Sequence, residues 1–386
     1  MRIVFMFYCK HAAPVNSKAP WNPNAPCGDR WKEHLTEGYF YQLKRMVEEK
    51  IADEVLVIIE SNKEPGRLDI PYPNFTGFVM PEISYLHDML REDDILFVRG
   101  GFRSWHDFIV DHHSDKWKLL YAANTGRERW TFWDIIFDDL SDPIDLPKLD
   151  NRKRLWVHYE KPINPNIFYP MDIPKEYDIC IGASHIHDKK GQWKTVEALY
   201  TYKMKYGRNL KAIMPGGKIR HGVGTNKIHS ILDKLDIELP GFVSREELRV
   251  IYNKSRLFAH LGGGGQNDRG PLEAMRCGTP LLISNSRRHG YVTWSNPEFF
   301  SMITEEVGAM GIARLLPSIL EKFSKVKRED VFNYFEEVSG VENVLLPQMK
   351  TIFGFLRYNP KANEDVLDSI ALMEYKRIYD VYRKEQ

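Results

Sequence analysis

Cysteine is scarce in this chain. The 386 residues hold four, Cys9, Cys27, Cys180 and Cys277, scattered and without a CxxC pair. That spacing argues against a disulfide framework and fits reduced, mostly buried thiols in a reducing compartment. Long apolar runs are missing too. None approaches the ~18 residues of a membrane span, and the run from Ile3 to Cys9 is too short and wrongly flanked for a signal peptide. It reads as a first buried strand, and the expected compartment is the cytoplasm. Charge of one sign is absent: the formal net charge is +1, so no global basic field draws in nucleic acid, and only a local patch would. There is no internal repeat and no low-complexity tract. No GxGxxG follows the first strand, which argues against a nicotinamide enzyme.

What is present is concentrated in one segment, Leu257 to Ser284, LFAHLGGGGQNDRGPLEAMRCGTPLLIS. An apolar strand ends in four glycines, Gly262 to Gly265. A polar stretch and a short helix follow, and Gly278 and Pro280 stop that helix before a second apolar strand, Leu281 to Ile283. The glycines are not a Walker loop, because no Lys-Ser/Thr follows. Strand, glycine loop, helix N-terminus and strand together suit an anion: glycine lets backbone approach a ligand, and free N–H groups at a helix start favour phosphate. Pro271 suits the first helical position, with Gly270 as cap and Glu273 third. Glu273 then either complements the helix dipole or grips a diol beside the anion, as on a ribose.

This segment resembles the donor-site signature of retaining GT-B glycosyltransferases of the family-4 type. That signature is Glu, seven residues, Glu, then Ala-Met-Ala-x-Gly-x-Pro, and this chain supplies Glu273-Ala274-Met275-Arg276-Cys277-Gly278-Thr279-Pro280. Upstream, Gly241 to Leu248 and Tyr252 resemble the run before the donor strand. The family's first glutamate aligns with Gly265, which has no side chain. The resemblance therefore assigns donor-sugar contact to Gln266, Asn267 or Asp268, backbone donors to the helix start at Leu272 and Glu273, and the ribose to Glu273.

Tyr177 to Gly191 reads as a strand and a loop ending in Lys190-Gly191. The family has Gly-Arg-x-x-x-x-Lys-Gly there, whose Arg and Lys hold the donor pyrophosphate. Lys190 matches the lysine, His185 stands for the arginine and Ser184 for the glycine, with Lys189 beside them. By resemblance Lys190 and His185 stabilise the leaving diphosphate. Leu155 to Pro170 resembles the family's hinge phrase between two domains. The motif resemblance covers about Ile95 to Ser284.

The order of apolar runs agrees. Strand-like runs at Arg2–Tyr8, Glu54–Glu60, Ile95–Val98, Lys118–Ala122, Ile135–Phe137 and Leu155–His158 alternate with helical stretches, notably 31–50 and 104–112. A second set follows at 179–182, 210–214, 257–261 and 281–283. Short apolar strands separated by helices imply parallel sheets. The expectation is an α/β chain with two Rossmann-like doubly wound domains facing a cleft. An acceptor domain would span 1–170, a nucleotide-sugar domain 171–350, and C-terminal helices over 351–386 would pack back on the first domain. Helical periodicity over 364–385 fits such a latch.

The acceptor side is thinner. The loop from Lys10 to Arg30 is long and rich in Pro and Asn, as binding loops often are. Arg99 and Arg103 follow the third strand of this half, and Asn124 and Arg127 the next. These four are the acceptor candidates, for an anionic group or the reacting carbon. His185 with His187, Asp138 with Asp139 and Asp93 with Asp94 lack the neighbours of a metal site, so no metal is expected. No cofactor is expected beyond a nucleotide-diphosphate sugar as co-substrate. The acceptor is expected to be a glycan or lipid-linked saccharide. The rivals are a hydroxylated base in DNA, as for viral-type base glycosyltransferases, and a degenerate nucleotide-binding protein without activity. Peripheral membrane contact fits a lipid-linked acceptor.

Overall fold

A computed structural model describes residues 1–8, 29–60, 65–80, 82–99, 118–122, 135–138, 148–149, 155–182, 191–216, 230–262, 268–284, 296–304 and 306–358. The chain forms two compact units: Met1–Pro162 with the segment from Val344 onward, and Ile163–Asn343. The chain passes from the first to the second inside the segment that resembles the hinge phrase.

Among the described residues unit 1 has nine strands: β1 Arg2–Tyr8, β2 Glu54–Glu60, β3 Gly66–Arg67, β4 Phe75–Met80, β5 Ile95–Arg99, β6 Lys118–Ala122, β7 Ile135–Asp138, β8 Lys148–Leu149 and β9 Leu155–His158. Their order is β3-β4-β2-β1-β5-β6-β7-β9-β8. Only the two-residue edge strands, β3 and β8, run antiparallel. A parallel sheet carries helices on both faces, so its central strands are apolar on both sides. β1 obeys this: Ile3 to Phe7 are all 2% exposed or less. Val4 and Met6 pack with Leu56, Ile58, Leu96 and Val98 on one face. Phe5 faces Tyr39 and Phe97 on the other, with ring centroids 5.9 and 5.4 Å away.

The helix expected over 31–50 is divided. A 3-10 turn, Asp29–Thr36, precedes α1, Gly38–Glu48. Glu37 between them is extended (φ −73°, ψ 148°) and makes no side-chain cap. Its buried carboxylate is instead bound by Arg99 and lies 3.1 Å from His34 Nδ1. That attraction outweighs helix continuity. The helix expected over 104–112 and the tail over 364–385 lie outside the described residues. The final described helix, α7 Leu346–Tyr358, lies against α1 in unit 1. Met349, Ile352 and Phe353 are fully buried, and Gln348 Nε2 donates to the His158 carbonyl at 2.8 Å. The chain thus returns to its first unit after completing the second.

The described residues of unit 2 hold six parallel strands: β10 Ile179–Ile181, β11 Ala212–Ile213, β12 Ile237–Glu238, β13 Phe258–His260, β14 Leu281–Ser284 and β15 Phe300–Ile303. Their order is β12-β11-β10-β13-β14-β15. Counted from β10, this is the 3-2-1-4-5-6 order of a Rossmann-like sheet, which reverses direction between β10 and β13. Its described helices are α2 Gln192–Tyr206, α3 Arg245–Lys254, α4 Arg269–Arg276, α5 Ala309–Ser324 and α6 Arg328–Ser339. α3 starts with a capping box: Ser244 Oγ accepts from the Glu247 amide at 3.1 Å, and Glu247 Oε2 accepts from the Ser244 amide at 2.7 Å. Ile179, Ile181, Leu199, Ala259, Leu282 and Ile312 form the core between strands, α2 and α5.

The segment entering unit 2 is fastened to α3, to the chain before β13 and to the start of α6. Asn253 donates to the Tyr169 carbonyl at 3.0 Å, Arg249 stacks 4.4 Å from the Tyr169 ring, and Arg328 donates to the Ile173 carbonyl at 3.0 Å. Lys175 Nζ donates to the Ser255 carbonyl at 2.7 Å. Burial, with Arg328 nearby, pulls the Lys175 ammonium down to about 7. The unfolded chain binds this proton more tightly, so the penalty is full below pH 7 and fades as pH rises towards the ordinary lysine value. Urea titrations at several pH values should therefore show stability rising between about pH 7 and pH 10. Lys175→Met should flatten that rise and add stability near pH 7.

Candidate functional site

Ligands of open α/β sheets sit at the carboxyl edge where strand order reverses, because neighbouring chains leave on opposite sides and open a crevice. In unit 2 that place lies between β10 and β13. A cavity of about 320 Å³ is found there, lined among others by Gly182, Gly216, Arg245, Tyr252, His260 and Glu273. The first turn of α4, Arg269 to Pro271, completes the wall with Asp268.

Two glycines make this crevice. Gly182 follows β10, and a Cβ there would lie 2.0 Å from the Phe258 ring on β13. Gly191 caps α2 with φ +71°, and a Cβ would lie 2.2 Å from the Leu261 carbonyl carbon. Gly182 brings the chain after β10 under the Phe258 ring at the start of β13, and Gly191 brings the start of α2 against the backbone after β13. A side chain at either place would push them apart.

α4 begins two residues earlier than Pro271 implied. Its N-cap is Asp268, with extended backbone (φ −75°, ψ 140°), and Pro271 is third in the helix. A missing N–H is harmless anywhere in the first turn, where amides have no intrahelical acceptor. The earlier start changes which groups face the cavity. Arg269 and Gly270 of the first turn line the cavity, while the Leu272 side chain is fully buried in the core. At the other end, Gly278 takes φ +75° and closes the helix, its amide donating to the Met275 carbonyl at 2.8 Å.

Glu273 reaches the cavity and is 8% exposed. Tyr252 donates its hydroxyl to Glu273 Oε2 at 3.3 Å. Burial, then the Glu273 charge, hold the Tyr252 phenol well above its ordinary value. Burial and Glu273 also push the Cys277 thiol up, so this free thiol is no nucleophile. Asp268 Oδ2 lies 3.0 Å from His260 Nε2. The cavity also exposes the Phe242 ring, which is 67% solvent-accessible. The wall therefore combines an exposed aromatic face, two arginines, two carboxylates and a histidine.

Of the donor residues expected from sequence, Asp268 and Glu273 meet at this cavity. Lys190, His185, Gly265, Gln266 and Asn267 lie outside the described residues. So do Arg103, Asn124 and Arg127 on the acceptor side. Arg99 is described: it stands at the carboxyl end of β5, bound to Glu37 and stacked 4.7 Å from the Tyr39 ring. Asp94 is held by Arg2 through two hydrogen bonds of 2.8 and 2.6 Å, which makes it one side of a buried ion pair. Among the described residues no three potential metal ligands converge, and no helix is long and apolar enough to cross a membrane. Sequence reasoning missed His260, Arg245 and Phe242. His260 had a signal, since it ends an apolar strand at the edge where ligands bind.

The Tyr252–Glu273 contact sets the carboxylate in the wall. Tyr252→Phe should cost about 1 kcal/mol in thermal unfolding. A double-mutant cycle with Glu273→Gln should show the two losses to be non-additive, since they share one hydrogen bond.

Sequence comparison matches the chain to no family model and no curated protein. Structural comparison gives extensive likeness. A glycosyltransferase from Rickettsia africae ESF-5 has 14% identity and a TM-score of 0.61, over 93% of this chain and 99% of that one. HepE from Anabaena, solved in complex with UDP, has 12% identity and a TM-score of 0.60, over 92% and 100%. Sucrose-phosphate synthase from Thermosynechococcus elongatus has 12% identity and a TM-score of 0.57, over 92% and 98%. At such identities the likeness concerns the fold. The chain has the GT-B fold, with two Rossmann-like units and a C-terminal helix returning to the first.

Proposed function

We propose that the protein is a glycosyltransferase that moves a sugar from a nucleotide-diphosphate sugar to an acceptor hydroxyl, with retention of configuration. The observation that carries this reading is the cavity of unit 2. It lies at the reversal of a 3-2-1-4-5-6 sheet and is walled by a helix first turn and by Glu273. The likeness of fold to glycosyltransferases over more than nine-tenths of the chain supports it.

In this reading the diphosphate lies at the first turn of α4, where the helix dipole favours negative charge. Lys190 and His185 supply charge to the departing diphosphate, an electrostatic stabilisation of the leaving group. Glu273 accepts from the ribose hydroxyls, and Tyr252 holds the carboxylate in place. Gln266, Asn267 and Asp268 face the donor sugar. Retention by front-face attack lets the leaving phosphate take the acceptor proton, so no protein base is required. Unit 1 takes the acceptor, a glycan or lipid-linked saccharide, with Arg99, Arg103, Asn124 and Arg127 as its contacts. No metal takes part. The near-neutral net charge of +1 favours a saccharide over DNA as acceptor.

The test is a donor screen without metal. Purified protein is incubated with each common nucleotide sugar, and release of nucleoside diphosphate is followed. One donor should be cleaved. Lys190→Ala should lower that rate roughly 10- to 100-fold, as the loss of a charge-assisted hydrogen bond implies. Absence of both cleavage and calorimetric binding across the panel would refute the reading.

A further inference from the structure

The segment by which the chain enters unit 2 is fixed to two of the elements that wall the cavity. Asn253 on α3 is fully buried, and its side-chain amide is wholly engaged. Its Oδ1 accepts from the Met171 amide at 2.7 Å, and its Nδ2 donates to the Tyr169 and Arg249 carbonyls, both at 3.0 Å. The residue before it is Tyr252, which donates to Glu273. The Tyr169 amide faces the Cys277 thiol at the end of α4, and the Cys277 amide donates to the Glu273 carbonyl at 3.1 Å. The Glu176 and Tyr177 amides both donate to the Lys254 carbonyl, at 2.7 and 3.0 Å. Residues 169–177 therefore form a strap held to the ends of α3 and α4.

Lys175 lies within this strap, its Nζ donating to the Ser255 carbonyl at 2.7 Å. The charged groups that face it from neighbouring elements are cations, Arg328 at the start of α6 and Arg256 before β13. The Cys277 thiol faces it from α4, and burial keeps that thiol protonated. The acids of its own segment are engaged elsewhere or exposed. Glu176 binds Lys254 of α3 at 2.9 Å, Asp178 lies 3.7 Å from Arg256, and Asp172 is exposed. Among the described residues no carboxylate pairs with Lys175. An ammonium with one carbonyl partner and two guanidinium neighbours is less stable there than in water. Burial first, then Arg328, hold it at about 7 in the closed strap.

We propose that residues 169–177 are a proton-operated strap: protonation of Lys175 releases them, and their release loosens the ends of α3 and α4 beside the Tyr252–Glu273 wall. The sign follows from which form holds the proton more tightly. The released strap leaves Lys175 in water, with the ordinary lysine affinity for a proton. Below pH 7 both forms are protonated, and release is easiest. From pH 7 towards pH 10 only the released form is protonated, so each pH unit makes release about tenfold rarer. The release is local, distinct from unfolding of the whole unit, and independent of what the cavity holds.

Hydrogen–deuterium exchange of the full chain from pH 6 to pH 9 tests this, with each rate divided by the intrinsic amide rate at that pH. Protection of peptides within 169–177 should be level below pH 7 and rise about tenfold per unit above it. It should stay well below the protection of the core strand β14, and peptides spanning 252–256 and 273–279 should follow the strap. Lys175→Met should remove the rise and keep the strap protected even at pH 6. Lys175→Gln serves the same purpose should the methionine variant not fold. Level protection across the range in the natural chain overturns the proposal, and that result needs no variant. A rise that survives Lys175→Met overturns it too, since another group then titrates. Strap protection equal to that of β14 would mean that the strap opens only with the whole unit. Protection of 252–256 and 273–279 at the level of β14 would mean that the strap braces neither helix. Either result overturns the proposal.

Discussion

The second unit depends on two strands lying side by side while their chains depart in opposite directions. β10 leads on to β11, and β13 to β14, on opposite sides of the sheet. The crevice at their carboxyl ends is a consequence of connectivity rather than of any one side chain. Its width is then set by close contacts. Gly182 lies under the Phe258 ring, and Gly191 lies against the backbone at Leu261 and Gly262. A Cβ at Gly191 would push the start of α2 away from the chain after β13, and a Cβ at Gly182 would displace the Phe258 ring.

Electrostatics then acts on a crevice already made. The walls carry two arginines and two carboxylates, and their placement is specific: Tyr252 donates to Glu273, and Asp268, which caps α4 by position, lies 3.0 Å from His260. Unit 1 shows the same economy with charge. Glu37 binds Arg99 at the cost of dividing a helix, and Asp94 is neutralised by Arg2. In each case a buried carboxylate is paired with an arginine, as desolvation demands of a charge.

These same places mark the boundary of what the sequence makes legible. Apolar runs announce themselves: β1, β2, β6 and β9 have the bounds their sequences imply. Two-residue edge strands such as β3, β8 and β12 carry no periodicity to read. β4 includes Gly77, which is required because a Cβ would lie 2.7 Å from Leu68, and the glycine weakens its strand signal. Glu37, at the break, binds Arg99, a partner distant in sequence, and α4 starts at Arg269, with Pro271 inside its first turn. Local reasoning therefore favoured a continuous helix in one case and Pro271 as the start in the other. Glu273 stands in the motif and Asp268 in the polar stretch before it, and both line the cavity. His260 was not, because a single histidine closing an apolar run looks like core until its partner is known.

The central claim is that nucleotide binds at the β10–β13 edge of unit 2. Hydrogen–deuterium exchange on the full chain, with and without the nucleoside diphosphate it binds, tests this most directly. The account predicts slowed exchange in peptides spanning 258–273 and 241–245, with peptides of β1 and β5 unchanged. Protection confined to β1, β5 and the segment around Arg99 would contradict it.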